Sequence, residues 1–117
     1  MADVAALRRL ALALPEAEEG TAYGTPAWRV RKKMFARLRD DGQHLVVTVD
    51  RGERELLMGA EPAVFFITDH YRPYHYMLVR LGAIPEDELA EVLEDSWRRA
   101  APTRLVKERD EEATSSR

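Results

Sequence analysis

Residues 34–49 read Met34-Phe35-Ala36-Arg37-Leu38-Arg39-Asp40-Asp41-Gly42-Gln43-His44-Leu45-Val46-Val47-Thr48-Val49, and their alternation decides the fold. Met34, Ala36 and Leu38 alternate with Phe35, Arg37 and Arg39. Beyond Asp41-Gly42, Leu45, Val47 and Val49 alternate with His44, Val46 and Thr48. A period of two marks a strand with one buried face. Asp-Gly is a favoured two-residue hairpin turn. A turn there pairs Leu38 with Leu45, Ala36 with Val47 and Met34 with Val49, all on the apolar face. It sets Arg39 opposite His44 and Phe35 opposite Thr48 on the solvent face. Turn chemistry and alternation agree on one register, and a one-residue slip would expose the whole apolar set.

Working towards the N-terminus, Trp28 and Val30 alternate with Arg29 and Arg31. A three-residue loop, Arg31 to Lys33, pairs Val30 with Met34 and Trp28 with Ala36. A two-residue loop at Lys32-Lys33 would mix the faces, so the odd loop is expected. Further upstream, Asp3 can cap a helix whose face is Val4, Leu7, Ala11 and Leu14, stopped by Pro15. Glu16, Glu18, Glu19 and Gly20 read as the connection. Towards the C-terminus, Asp50 and Glu53 have capping-box spacing for a short helix reaching about Gly59. Pro62 breaks the chain. Val64–Thr68 and Tyr74–Leu81 read as strands around a turn region, Asp69–Pro73. Pro85 with Glu86, Asp87 and Glu88 starts a last helix, whose face is Leu89, Val92, Leu93, Ser96, Trp97 and Ala100. Pro102 stops it, and residues 103–117 read as a polar, disordered tail. The class is therefore α+β: one antiparallel sheet packed against N- and C-terminal helices in a single domain, residues 1–102.

The composition excludes more than it assigns. The chain has 117 residues, 45% of them hydrophobic, and 18 Lys and Arg against 21 Asp and Glu give a net charge of −3. There is no cysteine, hence no disulfide, thiolate zinc site or thiol nucleophile. No run approaches the roughly 20 apolar residues of a membrane span. Met1–Leu14 carries Asp3, Arg8 and Arg9, unlike a signal peptide. A cytoplasmic protein with no membrane contact is expected. Of three serines, Ser96 lies on the buried helix face, so a serine triad is not expected. The glycines form no phosphate-binding loop. His70 and His75, with Asp69, have the spacing of a weak metal site, but local hydrogen bonding by turn histidines explains them, and no metal or cofactor is assigned. No catalytic residue is identified, and the protein is expected not to be an enzyme.

Two segments are candidates for contact. Trp28–Arg39 holds six cations, Arg29, Arg31, Lys32, Lys33, Arg37 and Arg39, and no acid, in a chain of negative net charge. Alternation puts Arg29, Arg37 and Arg39 on the solvent face with Phe35 among them, and Lys32 and Lys33 at the loop. Such a hairpin can act as a wing on DNA phosphates, although a solvated sheet face gives the same pattern. The second segment, residues 69–76, carries His70, Tyr71, Tyr74, His75 and Tyr76, and could line a ligand pocket or simply pack as a strand edge.

The stretch Tyr23-Gly24-Thr25-Pro26-Ala27-Trp28-Arg29-Val30 and then Lys33-Met34-Phe35-Ala36-Arg37-Leu38 resembles the core signature of the MmcQ/YjbR family. Phe66–Tyr71, Leu78–Leu81, Trp97 and Ala101-Pro102 resemble its second half. The resemblance covers residues 3–102. It implies a CyaY-like, frataxin-like α+β fold and a DNA-binding role through a double wing, and it carries no catalytic residues. Lys32 stands where the family pattern has glycine, which removes a position free to take positive φ and adds a cation. A frataxin-like acidic ridge is interrupted by Arg8 and Arg9. The expectation is a non-enzymatic DNA-binding protein, a monomer or weak dimer, binding modestly and with salt dependence. Arg29, Arg31, Lys32, Lys33, Arg37 and Arg39 would meet phosphates and Phe35 would stack. The alternative is a protein- or small-molecule-binding adaptor using His70, Tyr71 and Tyr74.

Overall fold

A computed structural model describes residues 2–115, with side chains through residue 112. The elements run α1 (Val4–Leu12), β1 (Ala17–Ala22), β2 (Thr25–Val30), β3 (Lys33–Leu38), β4 (His44–Thr48), α2 (Arg51–Ala60), β5 (Phe65–Phe66), β6 (Tyr76–Arg80), α3 (Glu86–Ala100) and α4 (Thr103–Ser115). The strands form one antiparallel sheet in the order β1-β2-β3-β4-β6-β5. α1 and α3 cover one face. The core between them holds Trp28, Phe35, Leu45, Met77, Leu89 and Trp97, all essentially inaccessible. Both indole N–H groups are satisfied: Trp28 Nε1 donates to Glu19 and Trp97 Nε1 to the Pro15 carbonyl. No helix among the described residues is long and apolar enough to cross a membrane.

The β3–β4 register is as the alternation predicts, with Ala36 opposite Val47 and Leu38 opposite Leu45. The turn is held by Asp41, whose Oδ1 accepts from the Gln43 and His44 amides, and Gly42 takes φ 68°. Asp50 caps α2 through the Gly52 amide, while Glu53 pairs with Arg99 instead of closing a capping box.

The β2–β3 connection differs from the expected odd loop. Val30 pairs with Lys33, so the loop is the two residues Arg31 and Lys32, with φ 49° and 71°. That is the double positive-φ geometry that suits hairpin twist. The extra residue sits inside the strand. Arg29 pairs with Met34 and Trp28 with Ala36, which leaves Phe35 as a bulge. The bulge turns Phe35 into the core, where it is 1% exposed, and Met34 to the opposite face. Phe35 is thus not the exposed aromatic of a wing, and Met34 does not join Val49 on the apolar face. The faces stay sorted because the bulge absorbs the slip that the loop was expected to absorb.

The bulge interrupts the β3–β4 ladder, and a helix closes the gap. The Ser96 hydroxyl of α3, fully buried, donates to the Phe35 carbonyl at 2.6 Å and accepts from the Thr48 amide at 3.0 Å. It bonds the Thr48 hydroxyl as well, at 2.8 Å.

Two further segments differ from expectation. Glu18 and Glu19 do not precede a turn but lie in β1, an edge strand with no buried residue. It lacks alternation because it has no core face to mark. Residues 103–115 are not a disordered tail but α4. Leu105 is buried, and Arg109 both pairs with Glu94 at 2.9 Å and lies over the Trp97 ring. Two apolar residues, Leu105 and Val106, and two ion pairs, Arg109–Glu94 and Arg98–Asp110, dock this helix, so its composition looks like that of a tail. The last two residues of that expected tail lie outside the described residues.

Candidate functional site

The sheet face away from α1 and α3 is partly covered by the segment between β5 and β6, and a cleft opens where the two meet. Two adjoining hollows of about 320 and about 460 Å³ share Tyr23, Arg37, His70 and Tyr71. Met34, Val46, Tyr74 and Tyr76 complete the first. Arg39, Asp40, Asp41 and Thr68 complete the second. The basic hairpin and the tyrosine segment, separate candidates in the sequence, are therefore two walls of one site.

Arg37 joins them. It faces the cleft because it pairs with Val46 and Ala27 on the side opposite the core. Its guanidinium donates to Tyr71 Oη and to Thr25 Oγ1, both at 3.2 Å, and lies 5.3 Å from the centre of the Tyr23 ring. Arg39 lies over the Tyr71 ring at 6.0 Å. Among the described residues no carboxylate comes within ion-pair distance of Arg37 or Arg39, whereas Arg8, Arg9, Arg31, Arg72, Arg98 and Arg99 are all paired with acids. An arginine half-buried among neutral partners keeps its charge available for an anion.

The tyrosine segment is fixed from behind. Arg54 of α2 is buried, and its guanidinium donates to the carbonyls of Arg72, Tyr74 and Tyr76. Arg51 adds a bond to the Pro73 carbonyl. Four backbone acceptors that would otherwise need solvent are held by one helix face. The rings then pack edge-on, His70 on Tyr71 at 4.9 Å and Tyr71 on Tyr76 at 6.1 Å.

The other sequence-predicted residues have different placements. Arg29 reaches across to the Thr21 carbonyl of β1. Arg31 forms a bidentate pair with Glu16, which holds that carboxyl below its ordinary range. Lys32 and Lys33 are exposed at the β2–β3 turn and line neither hollow. Of the six cations of the hairpin, Arg37 and Arg39 line the cleft. Tyr74 lines the cleft and is 53% exposed. Sequence reasoning missed Tyr23, Thr25, Arg51 and Arg54. Tyr23-Gly24 is a legible two-residue turn once β1 is seen, and Arg51 and Arg54 stand three apart on one helix face. In a third hollow the three charged or titratable side chains are engaged: Asp3 caps α1, His44 meets Asp41, and Arg80 lies on Phe66 and the Pro62 carbonyl.

The YjbR family model matches residues 12–99, which takes in the whole sheet and most of α3. The chain belongs to the YjbR family. The crystal structure of Deinococcus radiodurans protein DR2400, which carries the domain DUF419, is similar to this YjbR protein at a TM-score of 0.70 and 27% identity, over 83% of this chain and 77% of that one. Uncharacterized protein Rv2570 of Mycobacterium tuberculosis and uncharacterized protein Mb2600 of Mycobacterium bovis are each 39% identical to it over 57 residues, 49% of this chain. The chain spans less than half the length of these curated relatives, 44% in each case.

Proposed function

We propose that this YjbR-family protein is a non-enzymatic binding module whose ligand carries an anionic group into the cleft at Arg37. The observation that carries this is a half-buried guanidinium, held by Thr25 and Tyr71, with no carboxylate partner among the described residues. A concave, aromatic-lined site with a few convergent polar groups is the usual form of a small-ligand pocket. The test is backbone amide NMR during titration with inorganic pyrophosphate. Shifts are expected at Tyr23, Thr25 and Tyr71 and lost in Arg37→Gln. Shifts confined to Lys32 and Lys33 would overturn this reading.

A second reading, duplex DNA on the hairpin, is favoured by Lys32 and Lys33, which stand exposed at the tip without an acid partner among the described residues. Fluorescence anisotropy with a random duplex at two salt concentrations tests it. A log–log salt slope of about −3 corresponds to three or four phosphate contacts. Loss of binding in Lys32→Glu/Lys33→Glu supports the hairpin, and loss only in Arg37→Glu/Arg39→Glu returns the contact to the cleft.

A further inference from the structure

Tyr23 is placed against its own interest. It occupies a left-handed backbone conformation, φ 55°, as the first residue of the two-residue turn between β1 and β2. Asn, Asp or Gly adopt that conformation at lower cost, and a tyrosine there is strained. The fold gains little burial in return, since Tyr23 is 88% exposed. Its ring partner is the Arg37 guanidinium. Strain without burial at a cleft mouth is what a binding surface looks like.

The second observation is independent. Among the described residues only two large aromatic side chains are exposed, Tyr23 and Tyr74, and both line the same hollow. They come from distant parts of the chain, a hairpin turn and the arginine-fixed segment before β6. Arg37 lines that hollow too and Arg39 the one adjoining it; among the described residues neither has a carboxylate within ion-pair distance, although Asp40 and Asp41 line the second hollow. Exposed ring faces take flat rings by stacking, and free guanidinium groups take phosphate oxygens.

We infer that the cleft takes a phosphate-bearing nucleoside unit, its base stacked on Tyr23 and Tyr74 and its phosphate on Arg37 and Arg39. The inference rests on the anion reading of the cleft and adds the ring. The unit has two sources with one chemistry, a free nucleotide or an unpaired residue of a single strand. The hollows fall in the range of about 300–1,000 Å³ usual for small-ligand sites.

Calorimetric titration with adenosine 5′-monophosphate, ribose 5-phosphate and a short oligothymidylate tests it on wild type, Tyr23→Phe and Tyr23→Gly. The monophosphate should bind at least about fivefold tighter than ribose 5-phosphate, by the stacking contribution of one base. Tyr23→Gly should lose that margin, the monophosphate falling to the affinity the same variant shows for ribose 5-phosphate, while Tyr23→Phe keeps it. Tyr23→Gly should also melt no lower than wild type, because glycine relieves the turn, which separates lost binding from lost fold. Equal binding of the two sugar phosphates, or indifference to Tyr23→Gly, overturns the inference while pyrophosphate shifts at Thr25 and Tyr71 keep the anion reading alive. If pyrophosphate leaves the cleft unperturbed as well, the anion reading itself has failed. An oligothymidylate that binds tighter than the monophosphate, or weaker, supports the inference either way and identifies the source.

Discussion

At Lys32 the backbone takes φ 71° with a side chain attached. Glycine is at ease there and lysine is not, by about 1 kcal/mol. Lys32→Gly should therefore raise the denaturant midpoint by an amount worth about 0.5–1 kcal/mol, with an unchanged m-value. Two carboxyls give opposite pH signatures. Asp41 is pulled down to about 2, first by the Gln43 amide and then by its bonds to His44. Its contribution to stability is full above pH 4 and is lost as pH falls towards 2. Asp41→Asn should flatten that acid limb in urea titrations across pH 2–5. Glu88, in the first turn of α3, is pushed up to about 7 by a hydrogen bond to Glu61, by partial burial and by nearby acids. The protonated pair is favoured in the folded state, so stability is full below pH 4.5 and declines as pH rises through 7. Glu88→Gln should stabilise the protein at pH 8 and make little difference at pH 4. An equal gain at both pH values would show the pair is not the cause.

At the scale of elements, the decisive joint is the Phe35 bulge and the hydroxyl that seals it. Ser96→Ala leaves the Phe35 carbonyl and the Thr48 amide without their partner in a dry site, at a cost of about 2–3 kcal/mol, measurable by equilibrium urea unfolding. Leu105→Ala should cost about 2 kcal/mol if α4 is part of the domain, and nothing measurable if that helix is a loose appendage. These elements also mark where the sequence was legible. The β3–β4 register could be read because Asp41-Gly42 and the flanking alternation impose the same pairing. The helix face from Leu89 to Ala100 could be read because it has a full apolar stripe. β1 could not, because an edge strand with no fully buried residue shows no period, and α4 could not, because largely polar contacts dock it. The bulge could not either: whether an odd residue goes into a loop or a strand is decided by packing room for Phe35, which no local pattern encodes. For the site, Arg37, Arg39, Tyr71 and Tyr74 were visible as residue types, but their meeting depends on β6 lying beside β4, a non-local fact.

For the whole molecule, charge placement matters more than net charge. The acids outnumber the bases by 21 to 18, yet they are spent on specific partners: Glu16 on Arg31, Glu19 on Arg8, Glu53 on Arg99, Glu94 on Arg98 and Arg109. The cleft sets Arg37 and Arg39 beside Asp40 and Asp41, on a body of net negative charge. Long-range steering of a polyanion should therefore be weak, and raising salt from 50 to 200 mM should change the affinity of a single nucleotide by only a few fold, against the far steeper loss typical of six to ten phosphate contacts. Competition titrations at the two salt concentrations check this.

The Ser96 splice has a further consequence for the order of events in folding. The Thr48 amide is held not by its neighbouring strand but by a side chain 48 residues away on α3. The hairpin can form by itself, but that amide stays open to solvent until the helix docks. In hydrogen–deuterium exchange Thr48 would then be a local clock for the seating of α3 on the sheet, protected last on refolding while Val46, whose amide faces β3, is protected early.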